Sequence, residues 1–307
     1  MGFSFECMQG SSVTQDGMKV VYQHRDYSHT GLSLNQQHPD IYLTLDYPLR
    51  FSRAGNWIEI RALRVKPSEV CGVLRTGRDY RREMDFMQLW AKLAMLAGTY
   101  LLGSLPLGYL IVKILTGRDV RREHSGRTGG TNVMRSAGFA AGLVTAVGDM
   151  LKGASAVWIT KAVAPDVQWM HAAAGLLVIL GHNYSIFLIE RVNGKLRLRG
   201  GAGGGPSVGA TMGLWLPSIL IIVPLGLIML FGVGYASLAT ISVGLLELVI
   251  FSLRAMLGIG PWEYAGFGLL ALLILLWSLR PNIGRLLRGE ERLVGWRAKV
   301  GQADERS

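Results

Sequence analysis

Cysteine is nearly absent from this 307-residue chain: Cys7 and Cys71 stand alone, in no spacing motif. Two such residues exclude a disulfide framework and a cysteine-built zinc site. The chain does not open with a charged stretch followed by an apolar one, so no signal peptide is visible. Histidine is scarce as well. His24, His29 and His38 lack helical metal spacing and read as solvated loop residues. No Ser–His–Asp arrangement for nucleophilic catalysis can be assembled.

What the chain has in quantity is apolar sequence. Half of it is hydrophobic, and from Trp90 onward long apolar runs alternate with short basic or glycine-rich loops. The net charge of +11 does not require nucleic acid. Arginines gather on the cytoplasmic side of membrane proteins, and that accounts for the excess. The expected fold class is therefore an all-α integral membrane protein of about seven transmembrane helices, some short or broken, with polar loops on the cytoplasmic side.

Residues 1–86 are different. Ile41 to Tyr47 and Trp57 to Val65 alternate apolar and polar residues and predict strands, so a small β unit or a disordered extension is expected. Arg75 to Arg82 reads as a basic linker. Met84 and Met87 offer an alternative start just before the first membrane segment. The domain reading is 1–86 as a polar extension, 87–295 as the membrane domain and 296–307 as a polar tail.

The membrane segments are expected at Leu89–Leu115, Phe139–Val163, Trp169–Ile189, Tyr235–Leu257 and Trp262–Leu279, with a broken region at Ser207–Gly232 interrupted by Pro217 and Pro224. Counting that region once makes six spans and puts Arg280, Arg285, Arg288 and Arg292 opposite the other basic loops. Splitting it at Pro217 makes seven and gathers every basic cluster on one side. The short piece, Ser207 to Leu216, rises only about 15 Å at ~1.5 Å per residue. Such a half-span is tolerated only when shielded by protein or facing a cavity. Asp149 and Lys152 lie three apart in the second segment, on one helix face, where they can pair and line a polar site.

Gly117 to Arg135 (GRDVRREHSGRTGGTNVMR) has the composition of an anion site. Its glycines let backbone N–H groups approach a phosphate, Thr131 and Asn132 add donors, and its arginines supply forked, permanent charge. A second basic, glycine-rich loop, Glu190 to Gly205, is expected on the same side, near Gly181 and His182, so that the two embrace one anionic ligand.

Ser125-Gly126-Arg127-Thr128-Gly129-Gly130-Thr131-Asn132-Val133-Met134-Arg135 resembles the first signature, S-G-N-x-G-A-T-N-x-x-R, of the bacterial acyl-phosphate:glycerol-3-phosphate acyltransferases, the PlsY family. Gly103 to Tyr109, Asp149 to Gly153, Gly181-His182, Tyr235 to Leu238 and Arg280 to Leu286 resemble further family motifs in the same order, over about residues 89 to 295. Two departures stand out. Arg127 replaces an Asn of the first signature. In the second signature, Ile189 to Leu198 contains extra residues, and Arg199-Gly200-Gly201-Ala202-Gly203 stands for K-G-G-K-G, so that Ala202 removes a lysine. Lys195, Arg197 and Arg127 are the candidates to compensate.

The resemblance implies acyl transfer from acyl phosphate to the 1-hydroxyl of glycerol 3-phosphate, giving lysophosphatidic acid and phosphate in phospholipid synthesis. It implies no metal and no other cofactor, a multi-pass protein of the bacterial inner membrane, and a monomer. Ser125, Arg135, His182 and Asn282 are the expected catalytic residues. Gly126, Gly129, Gly130, Thr131, Asn132, Lys152, Arg199, Gly200, Gly201, Ser237 and Arg285 are expected to bind substrate phosphate. Two alternatives stay open: a catalytically impaired homologue that binds a phosphorylated lipid, and a small membrane transporter.

Overall fold

The computed structural model describes residues 87–294 without a break and, ahead of them, six strands within residues 3–64. The N-terminal unit is β1 (Phe3–Ser4), β2 (Ser12–Gln15), β3 (Met18–Val21), β4 (Gly31–Asn35), β5 (Tyr42–Arg53) and β6 (Asn56–Arg64). Strands β1-β4-β5-β6 form one antiparallel sheet, and β2-β3 form a hairpin. The two predicted strands fall within β5 and β6. Pairing slips between Thr44 and Leu49, around Pro48, whose missing N–H cannot join the ladder. The expected linker at Arg75–Arg82, the three early histidines and the tail after Val294 lie outside the described residues.

The second unit is helical. Helix α1 covers 87–104 and α2 covers Leu107–Thr116. They are one apolar run broken at Leu105-Pro106, because proline cannot donate to the preceding turn. A short α3 (Gly130–Ala137) precedes α4 (Phe139–Val163), which has the predicted bounds. Then come α5 (Gln168–Asn183), α6 (Gly204–Leu214), α7 (Ile219–Leu227), continued by a π-helical stretch to Val233, α8 (Ala236–Met256) and α9 (Trp262–Leu287).

Met87–Thr116, Leu216–Val233, Ala236–Met256 and Trp262–Leu287 are long and apolar enough to cross a membrane. With α4, α5 and the half-length α6 they make the seven expected segments. Helix α6 is too short to span and is buried from Pro206 to Leu214, as a half-span must be.

One expected segment needs correcting. The third membrane helix stops at Asn183, not Ile189, and the chain turns into a hairpin, β7 (Ser185–Val192) and β8 (Lys195–Arg199). Ile186 to Ile189 is rich in strand-forming residues. Asn193 (φ 50°) and Gly194 (φ 76°) supply the two left-handed positions of a tight hairpin turn. Helix α9 also runs past the expected Leu279 to Leu287, with Pro281 inside it.

Apolar helices gain little by leaving lipid for one another, so their association rests on close fit. Glycines supply that fit. A Cβ on Gly209 of α6 would lie 1.9 Å from the Met150 carbonyl oxygen of α4, and one on Gly103 of α1 would lie 2.3 Å from the Val178 carbonyl oxygen of α5. Phe251 and Phe267 pack edge-to-face across α8 and α9 at 6.0 Å. Glu247, wholly buried in α8, accepts a hydrogen bond from Ser207 of α6.

Candidate active site

The first turns of a helix expose N–H groups with no intrahelical partner and carry partial positive charge. Three such ends meet at one cavity of about 170 Å³: α3 with Gly130 and Thr131, α6 with Gly204 and Gly205, and α8 with Ala236 and Ser237. None of the three carries a side-chain cap. Gly203, which starts α6, has φ 97°, a left-handed conformation that favours glycine. Ser237 is buried, and its Oγ has no hydrogen-bond partner among the described residues.

The loop ahead of α3 is braced by its own side chains. Asp119 caps a 3₁₀ turn at Val120–Arg122, accepting from the Arg121 backbone N–H at 3.0 Å and holding the guanidinium at 2.7 Å. That hydrogen bond keeps the Asp119 carboxyl below its ordinary pKa. Asn132, buried, braces the loop from within. Its Oδ1 accepts from Ser125 N–H at 3.2 Å. Its Nδ2 is shared among the carbonyls of Arg127 (2.8 Å), Glu123 (3.2 Å) and Val120 (3.3 Å).

Behind the cavity sits a buried cluster. Lys152 Nζ lies 2.9 Å from Asp149 Oδ1 as an ion-pair contact. It donates to the Leu105 carbonyl at the helix break (3.1 Å) and to His182 Nδ1 (2.9 Å). An ammonium has no lone pair, so Nδ1 is the acceptor in that 2.9 Å contact, which places the proton on Nε2; Asp149 Oδ1 stands farther from the same Nδ1, at 3.5 Å. His182 is thus set as a hydrogen-bond donor through Nε2. Gly201 packs against that nitrogen: a Cβ there would lie 1.9 Å from Nε2.

Arginines complete the lining. Arg127 Nη1 donates to the Gly201 carbonyl (2.9 Å) and to Ser278 Oγ (3.1 Å). Its Nη2 donates to the Ser278 carbonyl (2.5 Å) and to Asn282 Oδ1 (3.3 Å). Burial, and then Arg285 nearby, pull the Arg127 pKa below its ordinary value, but arginine keeps its charge in proteins. Arg135 Nη2 donates to the carbonyls of Arg292 and Leu293, each at 3.2 Å, and so holds the strap that follows α9. Glu291, on that strap, accepts from Asn282 Nδ2 at 2.9 Å and lies 3.8 Å from Arg285 Nε. Arg127 and Arg135 line the cavity with Asp149 and Glu291, while Lys152 and Arg285 stand outside the lining; three helix dipoles add partial positive charge, the physical ingredients of an anion site.

A family model described as glycerol-3-phosphate acyltransferase matches residues 93–289. The chain belongs to the glycerol-3-phosphate acyltransferase family. Among its relatives, the glycerol-3-phosphate acyltransferase of Thermus thermophilus is 38% identical over 201 residues, covering 66% of this chain and 94% of the relative. That of Myxococcus xanthus is 36% identical over 194 residues, covering 63% and 94%. Two crystal structures of PlsY, an integral membrane glycerol 3-phosphate acyltransferase, are similar in fold. Its glycerol 3-phosphate form gives a TM-score of 0.57 at 28% identity, and its lysophosphatidic acid form gives 0.56 at 27%. Each covers 67% of this chain and 96% of PlsY.

In this family member, Ser125, Gly129, Gly130, Thr131, Asn132, Arg135, His182, Ser237 and Asn282, singled out from sequence, all line the cavity. Lys152 stands behind it. Gly126, Arg199, Gly200, Gly201 and Arg285 are outside the lining. Gly126 turns the loop at φ 69°. The Gly200 carbonyl accepts from Thr128 N–H (3.3 Å) and Gly201 N–H donates to the His182 carbonyl (2.9 Å), so this pair joins the two loops to α5. Arg199 is drawn back along the hairpin to an ion pair with Glu190. It does not take the position of a cavity lysine; Ala202 is the residue of that stretch that lines the cavity. Asp149 was expected to line a polar site with Lys152, and Gly203 to Gly205 fell within the second expected loop; Glu291 was not among the expected site residues. Gly203-Gly204-Gly205-Pro206 does carry a signal, since proline in a first turn marks a helix start.

Proposed function

We propose that this chain transfers an acyl group from an acyl phosphate to the 1-hydroxyl of glycerol 3-phosphate, releasing phosphate and forming lysophosphatidic acid for phospholipid synthesis. The observation that carries the reading is the convergence of three uncapped helix N-termini on one cavity that Arg127 and Arg135 also line. Two phosphate-bearing substrates need two anion pockets, and three such ends can make them.

In the proposed reaction the hydroxyl oxygen bonds to the acyl carbon, the bond from that carbon to the phosphate oxygen breaks, and phosphate departs as the leaving group. The mixed anhydride is already activated, so no enzyme nucleophile is required. The hydroxyl proton passes to a substrate phosphate oxygen. His182 donates from Nε2 and does not act as the base there, because that nitrogen already holds a proton. Thr131, Ser237 and the first amides of α3, α6 and α8 hold phosphate. Ser125, Arg135 and Asn282 flank glycerol 3-phosphate. Rate enhancement then comes from proximity and from fixed dipoles aimed at developing negative charge.

The lining residues alternate between helix ends in a way that supports the orientation. Helices α4 and α8 begin near the cavity, while α5 and α9 end near it. The loops bearing Arg118 to Arg135, Arg191 to Arg199 and Arg285 to Arg292 therefore share one side, which the positive-inside rule assigns to the cytoplasm. We read the protein as a monomer of a bacterial inner membrane, with its C-terminus cytoplasmic and residues 1–86 as a unit appended to the membrane domain. The test is direct: purified protein receives acyl phosphate and glycerol 3-phosphate, and lysophosphatidic acid is measured. Folded protein that binds both and makes none would be a catalytically impaired homologue.

A further inference from the structure

Most of the hairpin β7–β8 is the stretch from Ile189 to Leu198, the residues that this chain adds to the second family signature. A two-stranded hairpin standing alone in water is marginal, and this one has an uncovered apolar face. Residues opposite one another on a ladder share a face. Ile189 pairs with Leu198, and Arg191 pairs with Leu196. All three apolar side chains of that face are exposed, Leu196 to 71%. The other face pairs Glu190 with Arg197 and Val192 with Lys195. Glu190 is held by Arg199, and among the described residues Arg191, Lys195 and Arg197 have no carboxylate within ion-pair distance. The hairpin thus couples an open apolar face to three cations without counter-ions.

Its base fixes its depth. Ser185 Oγ, at the start of β7, donates to the Ser104 carbonyl at 2.5 Å, and the Tyr100 hydroxyl donates to the Tyr184 carbonyl at 2.7 Å. Both partners belong to the first membrane run, Met87–Thr116, which continues twelve residues past Ser104. At ~1.5 Å per residue that remainder rises about 18 Å, and it presents apolar side chains to its end, where Ile114 is 80% exposed. Strand β8 begins opposite the base, since Arg199 pairs with Ser185, and it is five residues long. At ~3.3 Å per residue it reaches about 13 Å. Leu198 and Leu196 lie along that reach, so they stay below the level at which α2 ends.

We infer that β7–β8 is an interfacial anchor. Ile189, Leu196 and Leu198 enter the acyl edge of the bilayer around the helices, and Arg191, Lys195 and Arg197 bind the phosphates of anionic phospholipids. Depth and charge select the bilayer over a second copy of this chain, which would set three further cations against these three. Strand β8 runs directly into Gly200 and Gly201, which bond to Thr128 and His182, so the anchor ties the second loop to the membrane surface. The anchor does not depend on the reaction proposed above.

The experiment uses the full chain with C7S/C71S and one added cysteine, K195C, L196C, R197C or L198C, carrying a nitroxide. Each protein is placed in nanodiscs of phosphatidylcholine with about one-third phosphatidylglycerol, a strongly anionic surface. Collisions with oxygen, which concentrates in hydrocarbon, and with an aqueous nickel chelate are measured. Positions 196 and 198 should favour oxygen, and 195 and 197 should favour nickel. In a second measurement, spin-labelled phosphatidylglycerol competes with phosphatidylcholine for the protein. R191Q/K195Q/R197Q should hold phosphatidylglycerol about fivefold less tightly for each cation removed. These side chains are exposed, and an unchanged melting temperature checks the fold. Nickel access at 196 equal to that at 195 would overturn the inference, because the hairpin would stand free in water. Exclusion of both reagents at 196 would also overturn it, since protein, either residues 1–86 or a second copy, would cover the face. Wild-type preference for phosphatidylglycerol in the triple variant would refute the headgroup contacts.

Discussion

Lys152→Met removes the hub of the buried cluster, and the outcome separates two roles. The ammonium is 2.9 Å from Asp149 Oδ1, and the two side chains are only 4% and 3% exposed. Methionine fills similar volume without charge, so Asp149 is left as a buried carboxylate lacking its partner, a loss of about 3–5 kcal/mol. The same substitution removes the donor to His182 Nδ1. Asp149 Oδ1, 3.5 Å from Nδ1, then favours a proton on that nitrogen, and the Nε2 donor is no longer guaranteed. A charged or strongly polarised hydrogen bond is worth about 1.5–3 kcal/mol, so turnover should fall on the order of 10- to 150-fold. The double variant D149N/K152M isolates the second effect. With the orphaned charge gone, most of the stability should return, while turnover stays low because the ammonium that donates to Nδ1 is absent. Melting temperature in detergent and steady-state turnover with saturating substrates are the two readouts. If the double variant recovers turnover along with stability, Lys152 serves only to neutralise Asp149, and the tautomer argument is wrong.

Gly201→Ala should disable the enzyme, because its methyl would meet His182 Nε2 at 1.9 Å, whereas Gly129→Ala, with nothing within 4 Å, should leave folding stability within about 0.5 kcal/mol of wild type. Equal destabilisation of the two in thermal melts would contradict that geometry. Asn132→Ala should loosen the whole loop, at about 1 kcal/mol for each brace lost, and hydrogen exchange at Ser125 should accelerate; an unchanged rate would mean the loop is held elsewhere. Arg199→Ala should change stability by no more than about 1 kcal/mol, as for an exposed ion pair, and turnover by less than a loss of Arg127 does. A collapse of turnover there would return Arg199 to the site.

Much of this architecture was legible in the chain. Long apolar runs, their proline and glycine breaks, and the one-sided arginines led to seven segments, because lipid leaves an uncovered backbone only helical solutions. The loop from Ser125 to Arg135 was legible as a candidate site from residue types alone, and Ser125, Arg127, Gly129 to Asn132 and Arg135 line the cavity. The hairpin was misread because Ile186 to Ile189 is as apolar as a membrane helix. Short apolar runs do not reveal their period, and the Asn193-Gly194 turn was the deciding signal.

Sequence by itself determined the membrane class, the family and the polarity of the site, since these depend on composition and on the order of motifs. Tertiary structure alone decided which groups share the cavity. Residues 127 and 202 are 75 positions apart, and only the packing of α6 against α4 and α9 sets the second loop beside the first. The proton on His182 is likewise decided in three dimensions, by a lysine thirty residues earlier whose ammonium can only donate. The anion binding proposed here depends on where three helices begin in space, and one-dimensional spacing does not encode that.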